Sequence, residues 1–155
     1  MTTTHAPRTE DEIVLSTSRK FSEPSDCTPG EARAYVRITL TDWGAPAAVS
    51  RDLQLIVSEL TTNAVTYTRS PQVEVSITLA GREASVSVSD CGPHRHLTAE
   101  LAAPDAEHGR GLVLVEAFAS WWEQRESDDG GTTVVAAVPL PDHERPSCPS
   151  TRRPA

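Results

Sequence analysis

Apolar and polar residues recur along this chain with two different periods. Val73, Val75, Ile77 and Leu79 alternate with Gln72, Glu74, Ser76 and Thr78, the pattern of a strand with one buried face. Gly81-Arg82 turns the chain, and Ala84, Val86 and Val88 form a hairpin partner that ends at Asp90. Upstream the period is helical. Leu53, Ile56, Val57, Leu60 and Ala64 predict a helix that follows Pro46 and ends before Ser70-Pro71. An earlier helix is predicted to start at Thr28-Pro29-Gly30-Glu31. Thr28 can cap it, Pro29 suits the first helical position, and Glu31 completes a capping box. This helix should stop near Trp43-Gly44, and a weakly alternating strand from Ile13 to Phe21 should precede it. Downstream, a third helix is predicted from Gly111 to about Ser120, with Leu112, Val115 and Ala119 facing inward. Strands near Trp121 to Glu126 and Thr132 to Pro139 flank the turn Asp128-Asp129-Gly130-Gly131. Helices first and paired strands after imply an α/β (α+β) two-layer sandwich. Its sheet should be mixed, largely antiparallel, and covered on one face by helices.

Composition narrows the partners. The 155 residues carry a formal net charge of −8, which argues against nucleic acid, because phosphate binding wants a basic face. A small anionic ligand stays open if a metal and backbone N–H groups meet its charge. Cys27, Cys91 and Cys148 are widely spaced and odd in number, so neither a zinc site nor a disulfide framework is indicated. They read as reduced thiols of a cytoplasmic protein. No run approaches the ~20 apolar residues of a membrane span, and no apolar signal core opens the chain. Residues 1–12 and the proline-rich 141–155 are expected to be disordered, leaving a folded unit of 13–140. Residues 93–108 are polar and loop-like, with a short helix expected at Leu97 to Ala103. His94, His96 and His108 fall there and read as solvated residues rather than metal ligands.

Four short stretches can carry chemistry. In Ser58-Glu59-Leu60-Thr61-Thr62-Asn63-Ala64, Glu59 and Asn63 are one turn apart on a shared helix face. A carboxylate can act as a base, and an amide oxygen can bind a hard cation such as Mg²⁺. Asp90-Cys91-Gly92-Pro93 stands at a strand end, where a carboxylate can accept from an exocyclic amine and a glycine lets a flat ring approach. Gly109-Arg110-Gly111-Leu112 opens a helix whose first N–H groups can hold phosphate. Gly131-Thr132 lies between the last two strands. Taken singly, each has an ordinary reading: a solvated surface pair, two turns and a glycine-rich helix start.

Taken together, in this order, they resemble the GHKL ATPases, which include histidine kinases, gyrase and MutL. Glu59 to Asn63 is similar to the N box, Asp90 to Gly92 to the first G box, Gly109 to Leu112 to the second, and Gly131-Thr132 to the closing threonine. Ser-Glu-Leu-Thr-Thr-Asn-Ala, Gly-Arg-Gly-Leu-Val-Leu-Val and the Trp after that helix resemble the branch of compact anti-sigma serine kinases. Tyr67 stands where that branch often carries histidine, and Pro93-His94-Arg95-His96 replaces its usual continuation of the first G box. The resemblance spans about residues 13–140 and implies the GHKL ATP-binding fold.

It further implies ATP and Mg²⁺ as cofactors. Asn63 would bind the metal, Asp90 the adenine amine with support from Thr132, and Gly92 would make room for the base. Gly109, Arg110, Gly111 and Leu112 would border the phosphates, and Glu59 would polarise the attacking hydroxyl. The acceptor in this branch is a serine of a STAS-type anti-anti-sigma factor. The kinase also binds and silences a sigma factor, and its members are often homodimers. An ATP-dependent binding module without catalysis is the alternative. The ATPase end of a histidine kinase fits less well, because no histidine lies on a clear phosphoacceptor helix.

Overall fold

The computed structural model describes residues 14–68, 70–92, 110–128 and 130–141. The expected head, the 93–108 loop with its helix and histidines, Gly109, and the tail from 142 onward lie outside the described residues. In chain order the elements are β1 (Val14–Ser22), α1 (Thr28–Asp42), α2 (Ala47–Tyr67), β2 (Gln72–Ala80), β3 (Glu83–Asp90), α3 (Arg110–Phe118), β4 (Trp121–Glu126) and β5 (Thr132–Pro139). The five strands form one sheet in the order β1-β2-β3-β5-β4. All four pairings are antiparallel. The expected two-layer sandwich is present, but its sheet is antiparallel throughout the described strands rather than mixed.

The alternation seen in the sequence becomes two faces. Val73, Val75, Ile77, Ala84, Val86, Val88, Val134, Ala136 and Val138 are buried under the helices. Burying a side chain of the size of valine or isoleucine contributes about 1.5–3 kcal/mol, so this face drives the packing. Its opposite carries Glu74, Ser76, Thr78, Ser85, Ser87 and Ser89, all partly exposed. Helix α2 lies on β3 and β5, at the middle of the sheet, and packs against α1 on one flank and α3 on the other. Its stripe Val49, Leu53, Ile56, Val57 and Leu60 is buried, as the 3.6-residue period requires.

The helix ends show where local signals succeed and fail. Gly44 takes φ 73°, its N–H donates to the Thr41 carbonyl at 3.0 Å, and the Ala45 N–H donates to Leu40 at 2.9 Å. That is a Schellman closure, which needs a left-handed residue and so favours glycine. The capping box at the start of α1 does not form. Thr28 lies inside the helix behind the N-cap Cys27, and its Oγ1 accepts from the Ser25 N–H at 2.9 Å. The Glu31 N–H donates instead to the Cys27 carbonyl at 3.1 Å. A turn upstream of the helix competes for the same hydroxyl and wins. The paired tryptophans divide as strand alternation demands. Trp122 packs against the core, while Trp121 is exposed with its Nε1–H donating to Glu83 Oε2 at 3.0 Å.

Candidate functional site

Three apolar rows of the core end in polar residues, and they end at the same place. Along β3 the inward positions are Ala84, Val86 and Val88, and the next is Asp90. Along β5 they are Val138, Ala136 and Val134, followed by Thr132. On α2 the stripe runs through Leu53, Ile56 and Leu60 to Asn63. The β3–β5 register sets Asp90 directly opposite Thr132. Helix α2 crosses above them, and a cavity of ≈ 20 Å³ opens between Leu60, Asn63, Ala64, Tyr67, Thr68, Val88, Asp90, Thr132 and Val134. The enclosed part has room for about one water molecule.

Two of the polar residues here are buried, and Asp90 is half-buried. Asn63 is 6% exposed and Thr132 4%. Asn63 Nδ2 is buried without any hydrogen-bond partner. A buried, unpaired amide costs about 1–3 kcal/mol, and the two ends of an amide exchange by a flip of the side chain. A group left unpaired at that cost beside a cavity has room for a partner from outside the protein, a water, an ion or a ligand. Asp90 Oδ1 accepts from the Gly92 N–H at 3.1 Å, which curls the chain immediately after the strand. Gly92 is pressed against α2. A Cβ there would lie 2.6 Å from Thr68 Cβ, so the missing side chain makes room for the helix end.

The other expected site residues take different places. Glu59 is half-buried on α2, one turn before Asn63, and is not among the residues lining the cavity. Leu112 is buried in the core rather than bordering the cavity. Helix α3 opens at Arg110, as a phosphate-facing N-terminus would require, but the side chains of Arg110 and Gly111 lie outside the described residues. Sequence reasoning missed Leu60, Ala64, Thr68, Val88 and Val134 as cavity walls, and noted Tyr67 only for its substitution. A signal existed for three of them. Tyr67 follows Asn63 by one turn, and Val88 and Val134 share the faces of Asp90 and Thr132, two residues away.

The donor set fits a Mg²⁺-nucleotide. Among the described residues no cluster of three His, Cys, Asp or Glu side chains can hold a metal ion alone. A cation at Asn63 would take most of its oxygens from phosphate and water, the normal habit of Mg²⁺. Asp90 offers an acceptor to an amine, and the Leu60, Val88 and Val134 side chains offer apolar surface to a ring. No helix among the described residues is long and apolar enough to cross a membrane.

A family model of the histidine kinase-like ATPase domain matches residues 24–138. The chain belongs to that family. Solved structures share the histidine kinase-like ATPase fold seen here. The RsbU and RsbW domains of Rv1364c from Mycobacterium tuberculosis superpose with a TM-score of 0.60 and 23% identity, covering 80% of this chain and 32% of that one. This chain therefore spans about a third of that protein. The SiaB–SiaC complex from Pseudomonas aeruginosa gives a TM-score of 0.56 and 14% identity, covering 80% of this chain and 88% of that one. No curated protein matches the sequence.

Proposed function

We propose that this ATPase-family chain is an anti-sigma factor and a serine protein kinase that uses Mg-ATP to phosphorylate a STAS-type anti-anti-sigma partner. The observation that carries the nucleotide part is the convergence of Asn63, Asp90 and Thr132 on one cavity, with the Asn63 amide unsatisfied. The partner class rests on the resemblance of Ser58–Ala64 and Gly109–Val115 to the anti-sigma kinases. One of the similar structures is a complex of two proteins, in keeping with a protein partner. Free thiols at Cys27 and Cys91 suit a reducing, cytoplasmic setting.

In this reading each residue has a distinct task. Asn63 holds the metal through its amide oxygen. Asp90 accepts a hydrogen bond from the adenine amine, and the Thr132 hydroxyl beside it supports that contact. The backbone N–H groups at the start of α3 face the phosphates. Bound Mg-ATP supplies the γ-phosphoryl group. Glu59 orients the acceptor serine and takes its proton as the serine oxygen bonds to phosphorus, while the bond to the ADP oxygen breaks. Alignment and charge neutralisation supply most of such catalysis. A binding module without catalysis stays the second reading, because Glu59 lies outside the cavity wall.

Glu59→Ala separates the two. It should retain ATP binding and lose phosphoryl transfer by ~10²–10⁴-fold, the usual contribution of a positioned base. The assay is transfer of labelled γ-phosphate to a STAS-type protein, wild type beside variant. Undiminished transfer by the variant removes Glu59 from the mechanism. ATP binding without transfer by either protein leaves the binding module.

A further inference from the structure

The β2–β3 ladder stops one step short of where its register would carry it. Its last pair is Val73 opposite Asp90, and one more step would set Gln72 opposite Cys91. There the Ser70 hydroxyl stands in for the missing rung. Ser70 Oγ accepts from the Cys91 N–H at 2.8 Å and donates to the Gln72 carbonyl. The side chain is buried, with 6% exposed. A hydroxyl between two backbone groups holds the strands further apart than a direct bond would. Asp90-Cys91-Gly92 turns toward α2 immediately after this bridge. The same short segment is fixed three times more, by the Gly92 N–H on Asp90 Oδ1, by the close approach of Gly92 to Thr68, and by Gln72 Nε2 donating to Cys91 Sγ at 3.8 Å. Thr68 itself is anchored, its Oγ1 donating to the Ala64 carbonyl at 2.5 Å. Thr68 and Ala64 both line the cavity.

We propose that Ser70 is a positioning residue for base recognition. Its bridged rung sets the angle at which the Asp90 carboxylate meets the cavity. The inference rests on the nucleotide reading above and deepens it by naming the group that aims the base-reading acid. Removing the hydroxyl leaves the Cys91 N–H and the Gln72 carbonyl free to close on each other. That closure would draw Asp90 toward β2 and away from the ring edge it reads.

The test is calorimetric titration of the full chain with Mg-ATP and Mg-GTP, beside thermal melting. Ser70→Ala should weaken ATP binding by about ten-fold, the consequence of losing one buried bridging hydroxyl, and should lower the ATP-to-GTP affinity ratio. Ser70→Thr, which keeps the hydroxyl, should restore the ratio. Ser70→Cys offers a second variant, with a longer and weaker bridge and a smaller fall in the ratio. Ser25→Ala is the control. Its Oγ accepts from the Cys27 N–H at 3.2 Å in a comparable turn away from the cavity, and its loss should leave the ratio alone. A purely structural serine would lower the melting temperature without moving the ratio, so an unchanged ratio in Ser70→Ala and Ser70→Cys overturns the proposal. Absence of ATP binding in the wild type overturns the nucleotide reading and this proposal with it.

Discussion

Helix α2 has a hollow beside each of its ends, and the two differ in size and in chemistry. At its N-terminal end, Ala47, Ser50, Arg51 and Gln54 join Arg37, Thr41, Gly44 and Ala45 around a groove of ≈ 380 Å³. At its C-terminal end the cavity between Asn63, Asp90 and Thr132 measures ≈ 20 Å³. The larger hollow is the poorer candidate. Its two arginines are exposed, and its other polar groups satisfy one another. Gln54 Nε2 donates to Ser50 Oγ at 3.0 Å, and Thr41 Oγ1 donates to the Arg37 carbonyl at 2.7 Å. The smaller one gathers buried Asn63 and Thr132 and half-buried Asp90 from three elements and keeps an amide nitrogen unpaired. Room is cheap at a protein surface. A buried amide nitrogen left in want of a partner is not, and it is the reason the proposed nucleotide site is put at this end of α2.

The sharpest way to break this contrast is Asn63→Ala. Binding of Mg-ATP should vanish in calorimetry, since this amide is the metal's one protein ligand in the proposed site. The ligand-free fold should melt no lower than the wild type, because removing an unpaired buried amide relieves about 1–3 kcal/mol. Unchanged affinity would detach the cavity from the nucleotide.

A smaller effect is expected from Asp90→Asn. Guanine presents a carbonyl where adenine presents its amine, so an acceptor facing an acceptor costs about 1–3 kcal/mol. An amide can turn its NH₂ toward that carbonyl, and the preference for ATP over GTP should fall by about ten-fold or more. Competition between the two nucleotides measures it. A preference that survives the change would mean that another group reads the base.

The smallest effect belongs to the other end of the helix. Arg37→Gln combined with Arg51→Gln should change Mg-ATP affinity by less than about two-fold, as exposed substitutions away from a site do. A loss approaching that of Asn63→Ala would overturn the contrast and make the larger groove part of the nucleotide site.

Much of the fold was legible because its signals are local. Strict alternation in Val73–Leu79 marked β2, and the spacing of Leu53, Ile56, Val57 and Leu60 marked α2, both close to their observed bounds. Gly44 announced the end of α1. The same local reading failed at Thr28, where a hydroxyl with two available N–H donors took the upstream one. It succeeded at Leu112 and Val115, expected to face inward and found buried.

The candidate site divides along the same line. From residue types in order, the sequence by itself determined the elements, the buried face of each, and an amide, two carboxylates and a glycine-rich helix start at family-like spacings. Only the tertiary structure decided which of these meet. The strand order β1-β2-β3-β5-β4 and the β3–β5 register place Asp90 against Thr132, residues far apart in the chain. Packing of α2 across them buries Asn63 and leaves Glu59 at the margin. The Ser70 bridge and the contact of Gly92 with Thr68 have no sequence signature at all. The reason is physical. Periodicity reports how one segment divides its own faces between core and solvent, whereas register and adjacency follow from how several segments share one buried volume.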